Sequence, residues 1–249
     1  MQSEKQYIDL YTEAQQLIKE HAAPVLNEVR DKAFEDFRRQ GFPTKKVERY
    51  KYTDMQKLFE PDYGLNLNRL EIPVNPYETF KCDVPNLSTS LYFVVNDQFY
   101  SKALPKAKLN DGVIVDSLNR VATERPELVA KYYGRLANTE ADAITALNTM
   151  LAQDGLFIYV PKNVQLERTI QVINILRSDV DLMVNRRVLI VLEEGAKAQF
   201  LFCDHAADDR NFLATQVIEA YVGANANLEL NCLEETHAKN VRVSNVYIE

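Results

Sequence analysis

The sequence is poor in cysteine and glycine and has no long apolar run. It contains three cysteines and seven glycines in 249 residues. An odd number of widely spaced cysteines gives no disulfide framework, which favours a reducing, cytoplasmic setting. Apolar runs such as 156–160 have only the length of a strand, so we expect no membrane-spanning segment. The N-terminus leads into a charged helix and lacks the apolar core of a signal peptide.

Positive charge is also in deficit. The formal net charge is −7 at pH 7, whereas surfaces that bind nucleic acid or anionic membrane need an excess of lysine and arginine. We therefore expect neither partner. The sequence also lacks a glycine-rich phosphate loop with its lysine, a Gly-x-Ser-x-Gly motif and a His-Glu-x-x-His motif. We therefore expect no ATP binding and no catalytic turnover.

What the sequence does contain is a repeat. Residues 195–202 and 223–230 both begin with Gly-Ala, follow an apolar run and alternate apolar with polar residues, and they start 28 residues apart. A weaker echo begins at Asn163. Self-similarity at a period of this length is typical of repeat architectures, in which each unit stacks on its neighbours. The unit of strand, Gly-Ala corner and strand predicts a coil of a parallel β-helix.

Helical and strand patterns divide the chain. Apolar residues three and four apart predict helices over most of residues 3–39. After Gly155 the periodicity changes from helical to alternating and remains so to the end. The predicted fold is mainly β with α, a right-handed parallel β-helix preceded by an N-terminal α-helical segment. We expect three parts: a helical segment over 1–60, a linker with short strands and helices over 61–154, and β-helix coils over 155–249.

Three segments carry a family resemblance. Residues 41–53 contain a proline, a lysine, a glutamate and then Tyr50-Lys51-Tyr52-Thr53, with Tyr50 where tryptophan is more frequent. Residues 147–161 lead into the first predicted coil, which covers 187–202. Together these segments resemble the SufB/SufD family of iron–sulfur cluster assembly. The extended helical N-terminal part favours the SufD branch of that family.

The resemblance implies a right-handed parallel β-helix flanked by helices. It implies a scaffold subunit without turnover of its own, working with SufB and the ATPase SufC in a complex that builds iron–sulfur clusters and passes them to apoproteins. No cofactor is expected in this chain, and a cluster would associate only with the full complex. The family's Cys-x-His pair with Gly-Ala-Thr, and its C-terminal helices that hold SufC, would lie beyond Glu249. We therefore expect this chain to be an N-terminal part of a longer protein.

Thiols and imidazoles are the side chains that could hold a cluster. Counting alternate residues from the corner glycines predicts that Cys203 points outward and Cys232 inward, so the two should not share a metal. We expect Cys232 to be an ordinary core residue. Cys203 and His205 would share the outer face about 7 Å apart, which could make half of a metal site, but Asp208 and Asp209 follow closely and the preferred interpretation is a solvated loop that carries acidic residues. The full set of candidates is Cys82, Cys203, Cys232, His205 and His237.

Two other functions fit a β-helix. One is an enzyme that acts on polysaccharide, which would group Asp, Lys or Arg on one outer face and would usually be exported. The other is a module that dimerises through its strands, because residues 241–249 still alternate and no polar cap follows them. We expect strand-to-strand association or disorder over 235–249, and a homodimer is one form of such association.

Overall fold

Helices form the first part of the chain. The computed structural model describes residues 2–79, 89–102, 104, 109 and 112–249. Three helices begin at an N-cap residue, whose side-chain oxygen accepts a hydrogen bond from the backbone N–H three residues later. These residues are Asp54, Ser117 and Asp142. No helix within the described residues is both long and apolar enough to cross a membrane. The helices are α1 (Gln2–Glu20), α2 (Pro24–Asn27), α3 (Arg30–Gln40), a 3-10 turn (Glu48–Tyr50), α4 (Met55–Phe59), α5 (Pro76–Thr79), α6 (Leu118–Glu124), α7 (Pro126–Ala130) and α8 (Ala143–Leu151).

The strands form two stacked, mostly parallel sheets. They are β1 (Thr89–Val95), β2 (Gln98–Phe99), β3 (Ile114–Ser117), β4 (Leu156–Val160), β5 (Thr169–Leu176), β6 (Leu182–Leu192), β7 (Lys197–Ala206), β8 (Phe212–Val222), β9 (Asn227–Glu235) and β10 (Asn240–Ile248). Sheet 1 has the order β2-β1-β5-β7-β9, and sheet 2 has the order β10-β8-β6-β4-β3. From β5 onward each strand runs parallel to the strand two places later. The chain is therefore a helical segment followed by a parallel β-solenoid of three coils, which confirms the predicted fold class.

Antiparallel strands close one end of the solenoid. β1 and β4 run parallel to β5 and β6, whereas β2 and β3 pair with β1 and β4 in the antiparallel sense and occupy the outer edges. A short edge strand of this kind gives little surface on which another strand could stack. Strands β1, β2 and β3 lie within 61–154, the stretch predicted to contain a linker with short strands and helices, and they extend the two sheets of the solenoid.

The coils around the Gly-Ala corners repeat every 30 residues, since Leu182 pairs with Phe212 and Ala198 with Leu228, whereas β10 follows β8 at an offset of 28. The 28-residue spacing of the Gly-Ala segments is therefore wrong as the length of the coil that separates them. The left-handed corner positions that correspond are Asn163, Gly195 and Asn225, with φ of 61°, 70° and 57°, each three residues after a paired strand end. The error of two residues leaves every predicted face unchanged, because side chains alternate with a period of two.

The two corner glycines are needed for different reasons. Gly195 has a positive φ, which glycine adopts without strain. The φ of Gly223 is not in that region, but a Cβ there would lie 2.7 Å from the backbone nitrogen of Glu194 in the preceding coil. Close stacking of backbones thus explains the second Gly-Ala pair, and the two pairs are not equivalent positions.

Strand β10 pairs with β8 along its whole length, from Asn240 to Ile248. The expectation of disorder over 235–249 is therefore wrong for these residues. The alternative expectation, association with another strand, stays a prediction.

The two largest apolar cores among the described residues lie inside the solenoid and between the helices and sheet 2. The interior of the solenoid is filled by residues such as Ile190, Phe200 and Phe202. A second core joins α1, α3 and α8 to the outer face of sheet 2, where Met183 and Leu213 contribute from β6 and β8. Helix α8 therefore lies between the helical part and the solenoid, and every one of its residues is buried.

Candidate functional site

Cys203 lies on the outer face of sheet 1, as its register predicts. Its neighbour Phe202 belongs to the interior core, whereas Cys203 packs with Phe93, Ile173 and Ile175. The thiol is 0% exposed, and Nε2 of Gln171 donates to its sulfur at 3.5 Å. The interpretation as a solvated acidic loop is therefore wrong, because Cys203 is in a strand and the outer face is covered here.

His205 follows on the same strand and is partly buried. Its Nδ1 lies 3.5 Å from Oε2 of Glu235 on the neighbouring strand β9. Burial lowers the pKa of His205 below its ordinary value, although Glu235 and Asp204 oppose this shift. A lowered pKa keeps the imidazole neutral, which is the form that binds metals. The assignment of Cys203 and His205 as half of a metal site stays a prediction.

Cys232 and the remaining candidates lie elsewhere. Cys232 pairs with Phe202 in the ladder and so shares its inward face, yet the residue is exposed. β9 is the outer strand of sheet 1 within the described residues, so no further strand covers Cys232 there, and the expectation of an ordinary core residue is wrong. His237 contacts the carbonyl oxygen of Asp208 at 3.0 Å in a corner. Cys82 lies outside the described residues.

The described part of the chain contains no group of three or more His, Cys, Asp or Glu residues that could hold a metal ion. Cys203 pairs with Leu233, one position beyond the pair of Phe202 with Cys232. The two described thiols therefore occupy opposite faces, as predicted. Burial raises the pKa of the Cys232 thiol, against the effect of the Arg242 guanidinium, which makes it a weaker nucleophile and ligand at neutral pH.

The motif at residues 41–53 is tied to the solenoid through Asp142. The hydroxyl of Tyr50 donates to Oδ2 of Asp142 at 2.7 Å, and Nη1 of Arg49 contacts the same oxygen at 3.2 Å. Oδ1 accepts from the backbone N–H of Thr145 and from Nδ2 of Asn245, both at 2.8 Å. One buried carboxylate thus caps α8 and joins it to the motif and to β10. Asp142 stands outside each segment of the resemblance, so no sequence signal pointed to its role.

A second buried carboxylate, Glu219 of β8, holds the loop before α8. Nη2 of Arg187 donates to its Oε2 at 2.6 Å, and both side chains are fully buried. The backbone N–H groups of Gly134, Leu136 and Ala137 also donate to the Glu219 carboxylate, each at 3.0 Å. Burial lowers the pKa of Arg187, but pairing with Glu219 outweighs it, so the pKa stays above its ordinary value. The arrangement is structural, since every carboxylate oxygen is used within the fold.

Comparison with known proteins agrees with this architecture. A family model described as SufBD protein N-terminal region matches residues 1–172, and one described as SUF system FeS cluster assembly, SufBD core domain, matches residues 174–249. The boundary between them falls in β5, where the first full coil begins.

Several curated relatives share part of the sequence. Iron-sulfur cluster assembly SufBD family protein ABCI8, chloroplastic, of Arabidopsis thaliana is 32% identical over 131 residues, covering 51% of this chain and 23% of the relative. Iron-sulfur cluster assembly protein SufD of Bacillus subtilis is 33% identical over 121 residues, covering 48% and 27%. ABCI9 of Arabidopsis thaliana is 27% identical over 171 residues, covering 68% and 35%.

The chain spans between 23% and 35% of the length of these three relatives. The two family models, in contrast, follow one another along the whole chain and leave only residue 173 between them. The chain belongs to the SufBD family.

Proposed function

We propose that this chain is a non-catalytic scaffold subunit of the SUF iron–sulfur cluster assembly complex, acting with SufB and SufC. The observation that carries the proposal is the match of residues 174–249, which include strands β6 to β10, to the SufBD core domain. The relatives in Bacillus subtilis and Arabidopsis thaliana are named as iron–sulfur cluster assembly proteins. The resemblance of residues 41–53 to the family motif supports the same role.

The placement of the thiols supports a scaffold rather than a cluster carrier. An iron–sulfur cluster needs several thiolate or imidazole ligands within reach of one another. Cys203 and Cys232 lie on opposite faces, and Cys203 is buried. We therefore propose that any cluster associates with the assembled complex, not with this chain alone. The odd number of widely spaced cysteines gives no disulfide framework and fits a reducing, cytoplasmic compartment, which we include in the proposal.

Affinity capture tests the proposed partnership. The full-length protein, carrying a tag, is co-expressed with SufB and SufC of the same organism and then captured. We expect both partners to elute with it in fixed proportion. A tagged β-solenoid protein from outside the family, of similar net charge, is the control. Failure of both partners to elute would contradict the proposal.

A reconstitution separates scaffolding from catalysis. Cluster transfer to an apoprotein is followed by absorbance with SufB, SufC and ATP, in the presence and absence of this protein. A scaffold should raise the yield in proportion to the complex formed and should not act substoichiometrically. Full effect at a small fraction of the SufB concentration would indicate turnover and would contradict the scaffold role.

A further inference from the structure

The apolar interior of the solenoid contains one charged layer. Arg186 of β6 and Asp204 of β7 form an ion pair there, and each side chain is 3% exposed. Nε of Arg186 also donates to the carbonyl oxygen of Asn96 at 2.9 Å. Arg186 belongs to sheet 2, whereas Asp204 and the strand before Asn96 belong to sheet 1. The guanidinium therefore crosses the interior from one sheet to the other.

The charges of this layer cancel. Nη1 of Arg242 contacts Oδ2 of Asp204 at 3.3 Å, and Nη2 of Arg242 contacts Oε2 of Glu234 at 3.1 Å. Two guanidinium groups and two carboxylates thus alternate from Arg186 toward β9 and β10. A site beside Arg186 has no excess charge with which to hold an ion, so it favours a neutral ligand.

Three buried polar atoms of the layer make no hydrogen bond within the described residues. They are Nη2 of Arg186, Nδ2 of Asn174 and Oε1 of Gln216, and their residues are 2%, 3% and 1% exposed. Nε2 of Gln216 donates to Oγ of Ser244 at 3.3 Å, which leaves Oε1 as its free atom. Unpaired buried polar atoms are rare in folded proteins and destabilise them.

Strand register brings these three side chains together. Asn174 pairs with Asp204, the partner of Arg186. Gln216 pairs with Arg186 itself. Neighbouring strands are about 4.8 Å apart, so side chains on one face of adjacent strands are in reach of a shared small ligand.

We propose that Asn174, Arg186 and Gln216 bind one internal water molecule. Two donors and one acceptor complement water, which accepts two hydrogen bonds and donates one to the Gln216 oxygen. An anion can only accept and would be repelled by that oxygen, while a cation would be repelled by the guanidinium. Buried waters typically make about three hydrogen bonds to groups that are otherwise unpaired. The water would join β5 of sheet 1 to β6 and β8 of sheet 2.

A crystal structure of the intact protein tests the site without any substitution. We expect a density peak within about 3.2 Å of all three atoms. Direct hydrogen bonds among the three side chains, with no such peak, would overturn the proposal. A bromide soak distinguishes the ligand class, since an anomalous peak at the position would assign an anion instead of water.

Oxygen-17 relaxation dispersion counts long-lived internal waters in solution. Asn174→Leu removes a donor and fills the space, so we expect this variant to have one long-lived water fewer than the wild type. Gln199→Leu makes the same kind of change on the exposed face of β7 and should keep the wild-type count. Equal counts for the wild type and a folded Asn174→Leu protein would overturn the proposal. If Asn174→Leu fails to fold, Gln216→Met replaces it in the comparison.

Discussion

The ion pair of Arg187 with Glu219 is the most deeply buried charge pair among the described residues, with both side chains 0% exposed. We expect Glu219→Gln to lower the free energy of unfolding by about 3–5 kcal/mol, because it leaves a buried guanidinium without its counter-charge. The amide keeps one acceptor oxygen, but its NH2 group cannot accept the hydrogen bonds made by the other carboxylate oxygen, so those bonds are lost together with the charge. Urea unfolding followed by circular dichroism measures the effect.

Glu229→Gln is the matched control for that substitution. Glu229 lies on the exposed face of β9 and accepts from Nε2 of Gln199 at 2.8 Å. Substitutions on an exposed face usually change stability by less than about 0.5 kcal/mol. A similar loss for the two variants would mean that burial of the Arg187–Glu219 pair does not set the cost.

His205 should make stability depend on pH below neutrality. Burial lowers the pKa of His205 from its ordinary value of 6.5. As the pH falls through 6.5, the unfolded chain takes up this proton before the folded chain does, so the free energy of unfolding decreases. The decrease ends below the folded pKa, where both states carry the proton.

His205→Gln should remove this contribution. The unfolding free energy of both proteins is measured at several pH values on both sides of 6.5. The wild type should lose stability relative to the variant as the pH falls. A parallel NMR titration of the His205 ring should give a midpoint below 6.5. A midpoint above 6.5 would mean that pairing with Glu235 outweighs burial, and the pH dependence would then have the opposite sign.

At the scale of elements, Asp142 joins three parts of the fold, and its loss should cost more than loss of a helix cap. Asp142→Ala removes the cap of α8, leaves the buried Tyr50 hydroxyl without its acceptor, and takes from the Asn245 amide one of its two acceptors, the other being Oγ1 of Thr145. A cap alone is worth about 1 kcal/mol, and unpaired buried groups add about 1–3 kcal/mol each. We expect a loss of at least 2 kcal/mol on these magnitudes.

Asp54→Ala provides the comparison, since Asp54 caps the short helix α4 at an exposed position. Its loss should stay near the value of a cap alone, about 1 kcal/mol. Equal losses in the two variants, measured by urea unfolding, would show that the bonds from Tyr50 and Asn245 contribute little.

The corner glycines should differ in how they can be rescued. Alanine at position 195 would overlap the side chain of Asn163, whereas alanine at position 223 would press on the backbone of Glu194. We expect Gly195→Ala to recover part of its lost stability when Asn163 is replaced by Gly, with the remaining cost due to the positive φ. Gly223→Ala should not respond to Asn163→Gly. Recovery of both variants would contradict the separate roles of the two glycines.

These corners also mark how far the sequence alone predicts the fold. Alternation of apolar and polar residues fixes the face of each strand residue, so the outward Cys203 and inward Cys232 are correctly predicted. The coil length is not correctly predicted, because the two glycines have different causes. Glycine is needed at 195 for its positive φ and at 223 for close contact with the backbone of the preceding coil. A pattern of residue types does not separate those two causes.

The candidate site was less predictable than the fold, for a physical reason. The face of Cys203 follows from local alternation, but its burial depends on Phe93, which lies 110 residues earlier in the sequence. The exposure of Cys232 depends on which strand is outermost in sheet 1. Asp142 acts through partners from residue 49 to residue 245. Long-range neighbours of this kind leave no local pattern.

At the scale of the whole molecule, the apolar residues at one end of the solenoid favour association. β9 and β10 are the outer strands of their sheets within the described residues. Leu233, Val246 and Ile248 on these strands are 40%, 48% and 59% exposed. Outer strands with exposed apolar side chains are surfaces on which another strand can pair. We expect the chain to form a homodimer through this end when no other partner is present.

Light scattering over a range of concentrations tests this expectation. The wild-type chain should shift toward the mass of a dimer as its concentration rises. Leu233→Lys with Ile248→Lys should remain a monomer, because two like charges on the outer strands oppose pairing. Val47→Lys changes an apolar residue of similar exposure, 45%, in the motif at 41–53, and should dimerise as the wild type does. A wild-type chain that stays monomeric at every concentration would contradict association through β9 and β10. Dimer formation by the double-lysine variant would show that the contact lies elsewhere.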